Sequence, residues 1–184
     1  MTLFIYLYFI HFLADYAFQW SALVKYKSEH FLGILLHSTI HLVVHFVILA
    51  PFLYDKKVWI AIAIIYGAHI GLDQSKMELN KADPKHIRFF YFFDQLIHLV
   101  VITVCAWFVG RTEPHYLSGW ALDLYTNQSV VLYLLILTLS TYFFDVSRYF
   151  VKMRMYKEEY QRDYKTMLIN AGIVTVAFGM YWVS

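Results

Sequence analysis

Histidine and aspartate occur in pairs four residues apart within otherwise apolar stretches of this chain. The pairs are His11 with Asp15, His37 with His41, His69 with Asp73, and Asp94 with His98. On an α-helix, residues four apart lie on the same face about one turn from each other, so each pair can present two ligand atoms together. Imidazole and carboxylate groups bind zinc, manganese and iron. The spacing therefore predicts a metal site built from these eight side chains, although any one pair alone could equally form a helix–helix hydrogen bond.

The composition of the 184-residue chain places these pairs in a membrane protein. Hydrophobic residues make up 60% of the sequence, charged residues 15%, and the mean hydropathy is +0.53. These values are too apolar for a water-soluble domain. With Cys105 as its one cysteine, the chain cannot build a Cys-rich zinc motif. The net charge of +2, carried by scattered basic residues, gives no indication of nucleic-acid binding.

Six apolar runs of about the length of a membrane span follow one another along the chain. They cover residues 2–24, 31–53, 58–76, 88–109, 128–151 and 166–183. The sequence thus predicts an all-α fold, a polytopic transmembrane helical bundle that forms one integral membrane domain over residues 1–184. Residues 1–110 would form a four-helix core carrying the His/Asp pairs, residues 111–127 an interfacial loop, and residues 128–184 two further spans. The first run lacks the basic start and cleavage site of a signal peptide, so we expect it to stay in the protein.

Lysine and arginine are distributed unevenly between the predicted loops. Eleven follow spans one, three and five, whereas only Lys56, Lys57 and Arg111 lie on the opposite side. The eleven are Lys25, Lys27, Lys76, Lys81, Lys85, Arg88, Lys152, Arg154, Lys157, Arg162 and Lys165. By the positive-inside rule, we expect the eleven to be cytoplasmic and both termini to lie outside. Most of the ligand residues then fall about 9–15 Å below the cytoplasmic surface, at depths that allow one common site.

The aspartates of the pairs, Asp15, Asp73 and Asp94, need compensating charge if they lie in lipid. Two divalent cations, three carboxylates and one hydroxide sum to zero charge. We therefore expect two divalent metal ions, with zinc first and manganese or iron as alternatives. Such a pair of ions can make water nucleophilic at neutral pH and hold a phosphoryl or acyl substrate.

Other polar residues adjoin the pairs without identifying a catalytic side chain. Gln19 and Gln95 could each orient a carboxylate or a water molecule. Lys76 could meet a lipid phosphate, or simply extend to the membrane surface. His45 lies one turn beyond the second pair and is kept in reserve as a ligand.

The motifs, taken in order, resemble those of a known family. They are His11-Phe-Leu-Ala-Asp15-Tyr-Ala-Phe-Gln19, the His37 and His41 pair, His69-Ile-Gly-Leu-Asp73-Gln-Ser-Lys76 and Asp94-Gln95-Leu-Ile-His98. Together they are similar to the bacterial inner-membrane family called domain of unknown function 3307. The resemblance covers roughly the first 110 residues and implies a small polytopic protein of the bacterial inner membrane, but no particular reaction. A looser likeness in ligand style exists to membrane-bound metal-dependent hydrolases.

Three functions remain open on the sequence. The first is a metal-dependent hydrolase that acts on a lipid or another substrate at the cytoplasmic leaflet. The second is a transporter or channel for divalent metal ions or protons, since intramembrane His and Asp also build ion pathways. The third is a haem protein with axial imidazoles such as His41 and His98, which leaves the aspartates without a role. The lipid bilayer is the expected partner, and association with a second copy or a partner subunit stays open.

Overall fold

The computed structural model describes residues 3–152 and 160–183, with side chains up to residue 181. These residues form helices and no strands, so the predicted all-α fold is confirmed for them. Four helical segments are long and apolar enough to cross a membrane: Phe31–Ile48, Lys56–Ala82, Pro84–Val109 and Gln128–Lys152. Their length and hydropathy are those of a membrane protein. Arg154 and Lys157, two of the predicted cytoplasmic charges, lie outside the described residues.

Helices of unequal length follow one another along the chain. They are α1 (Phe4–Phe12, extended by a π-helical turn at Leu13–Ala17), α2 (Ser21–Glu29), α3 (Phe31–Ile48), α4 (Lys56–Ala82), α5 (Ile87–Val109), α6 (Gly119–Thr126), α7 (Gln128–Thr138), α8 (Phe144–Lys152) and α9 (Tyr164–Val183). A second π-helical turn, Leu139–Phe143, joins α7 to α8. Helices α1, α3, α4 and α5 pack as a ring, in which each contacts two neighbours. Helix α7 packs on the outside of α1, and α9 packs on α7.

The outward faces of the ring are apolar. Val47 on α3, Ile64 on α4 and Trp107 on α5 are 66%, 49% and 84% exposed. A water-soluble bundle would bury these side chains and expose its charges. Here the His and Asp pairs face inward instead, which suits a bundle surrounded by lipid.

The interior of the ring is divided along its axis into an apolar part and a polar part. The apolar part contains Leu7, Ile10, Phe52, Ile65 and Ile102, all of them buried. On α4 and α5 the His/Asp pairs lie one to two turns from this apolar part, toward the end of the bundle where α2 lies. The polar residues are therefore closed off from the opposite end of the bundle by packed hydrocarbon.

The first predicted span differs most from the structure. Instead of continuing over residues 2–24, the helix ends at Ala17, and a new helix begins at Ser21. With nine α-helical and five π-helical residues, this first helix is shorter than the hydrocarbon core of a bilayer. Arg162, in the loop before α9, donates to the carbonyl oxygens of Tyr16 and Gln19, both at 2.8 Å. The helix end is thus capped from a distant part of the chain, which no local sequence signal announces.

Helix α2 folds back against the start of α3 at a glycine. A Cβ atom at Gly33 would lie only 2.5 Å from the backbone nitrogen of Lys27 and from the carbonyl carbon of Tyr26. Because glycine has no side chain, the two helix backbones can touch at this point. This contact sets the position of Lys27 over the end of the ring.

Charged groups link α8 to the start of α9. Asp163 accepts from the backbone nitrogen of Thr166 at 3.1 Å and so caps the start of α9. Arg148 donates to the other carboxylate oxygen of Asp163 at 2.6 Å and also lies 3.5 Å from Asp145. The bond from Arg148 holds the pKa of the Asp163 carboxyl well below its usual range.

Candidate metal centre

The eight predicted ligand residues meet inside the ring. Each of α1, α3, α4 and α5 contributes one pair, and no member is more than 6% exposed. They are His11, Asp15, His37, His41, His69, Asp73, Asp94 and His98. The four-residue spacing therefore does place both members of each pair on the inner face of its helix.

Asp15 lies at the centre of this group. One of its carboxylate oxygens is 3.0 Å from His37 Nε2, 2.9 Å from His41 Nε2 and 3.5 Å from His69 Nε2. The other oxygen is 3.7 Å from His11 Nε2. Asp15 belongs to the π-helical turn, a distortion that is often found at functional sites. A single carboxylate thus brings together imidazoles from three helices.

Four of these residues are close enough together that they could hold a divalent cation. Ligand atoms of His11, Asp15, His41 and His69 all lie within 4.8 Å of one another. Tetrahedral ligands at bond lengths of about 2.1 Å are about 3.4 Å apart, close to the Asp15–imidazole distances above. Among the described residues, neither ring nitrogen of His11 or of His69 has a hydrogen-bond partner. Leaving such buried groups unsatisfied costs about 1–3 kcal/mol each, whereas coordination would satisfy one nitrogen of each ring.

His37, His69 and Asp73 form a second group of possible ligands, which shares His69 with the first. Asp73, Asp94 and His98 form a third, adjoining group. His98 Nδ1 donates to the backbone carbonyl of Asp94 at 2.9 Å, and its buried Nε2 has no partner among the described residues. Lys76 Nζ lies 2.8 Å from Asp73 and 2.6 Å from Asp94. Lys27 Nζ, on α2, lies 3.1 Å from the other oxygen of Asp73. Two ammonium groups therefore neutralise the two carboxylates of this group.

The polar residues predicted to support the site differ in what they contact. Gln95 Nε2 donates to Asp15 at 3.2 Å and to Asp94 at 3.3 Å. It thus links the ligand group that contains Asp15 to the one that contains Asp94. Gln19 contacts neither carboxylate. With its amide oriented to satisfy both neighbours, it donates to the backbone oxygen of Asp15 at 2.6 Å and accepts from Lys27 at 3.0 Å. Lys76 turns inward onto the carboxylates of Asp73 and Asp94.

His45, the reserve ligand, belongs to none of the described ligand groups. Its Nδ1 donates to the backbone oxygen of His41 at 2.8 Å. The ring is buried one turn beyond His41, toward the apolar part of the interior.

The packing of the imidazole rings bears on the haem alternative. The ring centroids of His41 and His69 are 3.9 Å apart, and those of His69 and His98 are 4.5 Å apart. The His69 ring therefore lies close to both rings proposed as axial ligands. A porphyrin between His41 and His98 would need the space of this third ring.

Lys27 is the site residue that sequence reasoning missed. Its sequence context indicates only a loop charge that helps to predict orientation. No periodic spacing relates Lys27 to Asp73, because their contact depends on the reversal of the chain between α2 and α3. The available signal was Gly33, a glycine in the first turn of a helix a few residues later.

Comparisons with known proteins address the family rather than the reaction. No curated protein and no solved structure matches the chain. A family model described as a protein of unknown function, DUF3307, matches residues 3–121. That range contains the eight predicted ligand residues, Lys27, Lys76 and Gln95, and it ends before α7. Since the match covers more than half of the sequence and carries the whole candidate site, the chain belongs to the DUF3307 family.

Proposed function

We propose that this protein is a membrane-embedded, metal-dependent hydrolase that acts on a lipid or another substrate at the cytoplasmic leaflet. One observation carries the proposal: His11, Asp15, His41 and His69, from three helices, bring four buried ligand atoms within 4.8 Å of one another. A purely structural polar core would pair its imidazoles with hydrogen-bond partners. Here the ring nitrogens of His11 and His69 have none within the part of the chain that the structure describes.

The charges of the site favour one divalent cation rather than the two expected from the aspartates alone. Asp15, Asp73 and Asp94 carry three negative formal charges, and Lys27 and Lys76 return two positive ones. With neutral imidazoles, the sum is −1 before any ion binds. One divalent cation changes this net charge to +1, whereas two would change it to +3. A net charge of +3 in a medium of low dielectric constant is costly. Lys76 lies between Asp73 and Asp94, where it competes with a second cation.

The ligand set and its surroundings suit hydrolytic chemistry. Imidazole and carboxylate ligands without thiolate favour zinc, manganese or iron, and such an ion supplies Lewis acidity and activates water at neutral pH. Gln95 holds Asp15 and Asp94 in fixed orientations. Lys76 can hold an anionic group of a substrate beside the ligands.

We propose the bacterial inner membrane as the location, with the lysine-rich end of the bundle in the cytoplasm and both termini outside. The asymmetry of loop charge supports this orientation. Closure of the site by the apolar layer on the other side supports the retention of an ion rather than its passage across the membrane.

Metal quantification tests the proposal. The wild-type protein, purified in detergent without chelators and loaded with zinc or manganese, should hold about one ion per chain. Asp15→Asn and His69→Gln each remove a member of the four-ligand group and should lower the content well below half an ion. His45→Gln is the matched control, because His45 is equally buried on the same helix as His41 but outside the ligand groups.

The outcomes separate the candidate functions. Loss of metal in Asp15→Asn and His69→Gln, with retention in His45→Gln, supports the site. A wild-type protein with less than about half an ion per chain overturns it. Metal-dependent flux through proteoliposomes, abolished by Asp94→Ala, would assign transport instead of hydrolysis.

A further inference from the structure

We infer that the substrate of this site carries a phosphate group, which Lys27 and Lys76 bind at the lysine-rich end of the bundle. The inference rests on the proposed function, since it names the substrate class of the same site. It is based on the contact of two ammonium groups, Lys27 on α2 and Lys76 on α4, with the carboxylate of Asp73.

The two lysines lie at the one side of the site that retains exposure among its described residues. The side chains of Lys27 and Lys76 are 12% and 18% exposed, whereas those of the eight ligand residues are 5% or less. The opposite side is closed by apolar packing. A substrate that reaches the ligand groups from this side therefore meets the two ammonium groups first.

With a divalent cation bound, the net charge of the site favours an anionic substrate. With one divalent cation, the sum over Asp15, Asp73, Asp94, Lys27 and Lys76 is +1, which a neutral ester cannot balance. A phosphate group brings negative charge and several acceptor oxygens, which suit two ammonium donors held on separate helices. Lys27 is built into place, because Gly33 allows the close approach of α2 and Gln19 accepts from its ammonium group.

The corresponding reaction is the hydrolysis of a phosphate ester. The oxygen of water forms a new bond to phosphorus, and the bond between phosphorus and the alcohol oxygen breaks. The alcohol oxygen takes one proton of that water, and the other stays with the released phosphate. Atoms and charge balance without an oxidant or a reductant.

Equilibrium binding to the metal-loaded protein tests the inference. Inorganic phosphate and detergent micelles containing phosphatidic acid are the two probes, and micelles containing diacylglycerol are the neutral control. We expect phosphate and phosphatidic acid to bind and diacylglycerol not to. Lys27→Met should weaken phosphate binding about tenfold, the effect of losing one charge-assisted hydrogen bond, while Lys27→Arg should keep most of it. Lys25→Met is the matched control on the same helix, because Lys25 is exposed.

Each outcome either supports or overturns the inference. Tighter binding of phosphatidic acid than of inorganic phosphate identifies a lipid headgroup as the source, and equal binding identifies a soluble phosphate ester. A protein that holds its metal but binds no phosphate, or whose Lys27→Met and Lys25→Met variants bind alike, overturns the inference and leaves the proposed function standing. A protein that holds no metal overturns the proposed function itself.

Discussion

Replacing Gly33 with alanine should displace α2 relative to α3. The new Cβ atom would lie 2.5 Å from Lys27 N, about 0.9 Å closer than the 3.4 Å at which ordinary contacts begin. Its closest neighbours are backbone atoms, which cannot rotate away as a flexible side chain could. The helix must therefore move by roughly this distance. Such a shift would lengthen the 3.1 Å contact between Lys27 and Asp73 to about 4 Å, beyond hydrogen-bond range.

The cost of this substitution follows from overpacking. Forcing an extra methyl group into a filled contact costs about 1–3 kcal/mol. In a chain of 184 residues, each kcal/mol lowers the melting temperature by about 2–4 °C, so a decrease of about 2–12 °C is expected. Thermal unfolding in detergent, followed by circular dichroism, measures it.

Gly67→Ala is the matched control for Gly33→Ala. A Cβ atom at Gly67, also in a helix, would meet nothing within 4 Å. This variant should be unchanged or more stable by up to about 1 kcal/mol, because alanine is the better helix former. Equal melting temperatures for Gly33→Ala and Gly67→Ala would refute the argument that Gly33 is required for the docking of α2.

A chelator treatment tests the metal site, and a substitution of Arg162 tests what stabilises the end of the first helix. If the site holds a cation at a thousandfold excess over its dissociation constant, binding contributes about 4 kcal/mol, so a chelator should lower the melting temperature by about 8–16 °C. Asp15→Asn should show no such response, and a wild-type protein indifferent to chelator would contradict metal binding. Arg162→Ala removes the donor to the carbonyls of Tyr16 and Gln19 and should cost about 1–3 kcal/mol in unfolding free energy, whereas Lys165→Ala, an exposed neighbour, should stay within about 0.5 kcal/mol. Equal unfolding free energies for these two variants would show that the bonds from Arg162 do not stabilise the helix end.

The position of the later helices could be predicted closely from hydropathy. The expected span over residues 88–109 corresponds to α5 at Ile87–Val109, and the span over residues 128–151 to the helical segment Gln128–Lys152. Hydropathy succeeds here because lipid requires a continuous apolar surface and an internally bonded backbone. It does not report the π-helical turns, which change backbone bonding without changing the apolar character of the segment.

The first helix could not be predicted in the same way. Residues 2–24 are apolar enough to suggest a span, yet the helix stops at Ala17. Its end is stabilised by Arg162, more than 140 residues away in sequence. Hydrogen bonds of this kind depend on how the chain packs, so they cannot be predicted from a window of neighbouring residues.

The sequence by itself determined which His and Asp residues form the buried cluster and how they pair. Side chains four apart must share a helix face, and the cost of facing lipid directs that face inward, so His37 with His41 and His69 with Asp73 were set by local geometry alone. Only the tertiary structure decided the charge of the site. The inward turn of Lys76 and the approach of Lys27 depend on the packing of α2 and α5 against α4, which spacing within one helix cannot encode. The same packing changed the expected two cations into a proposal for one.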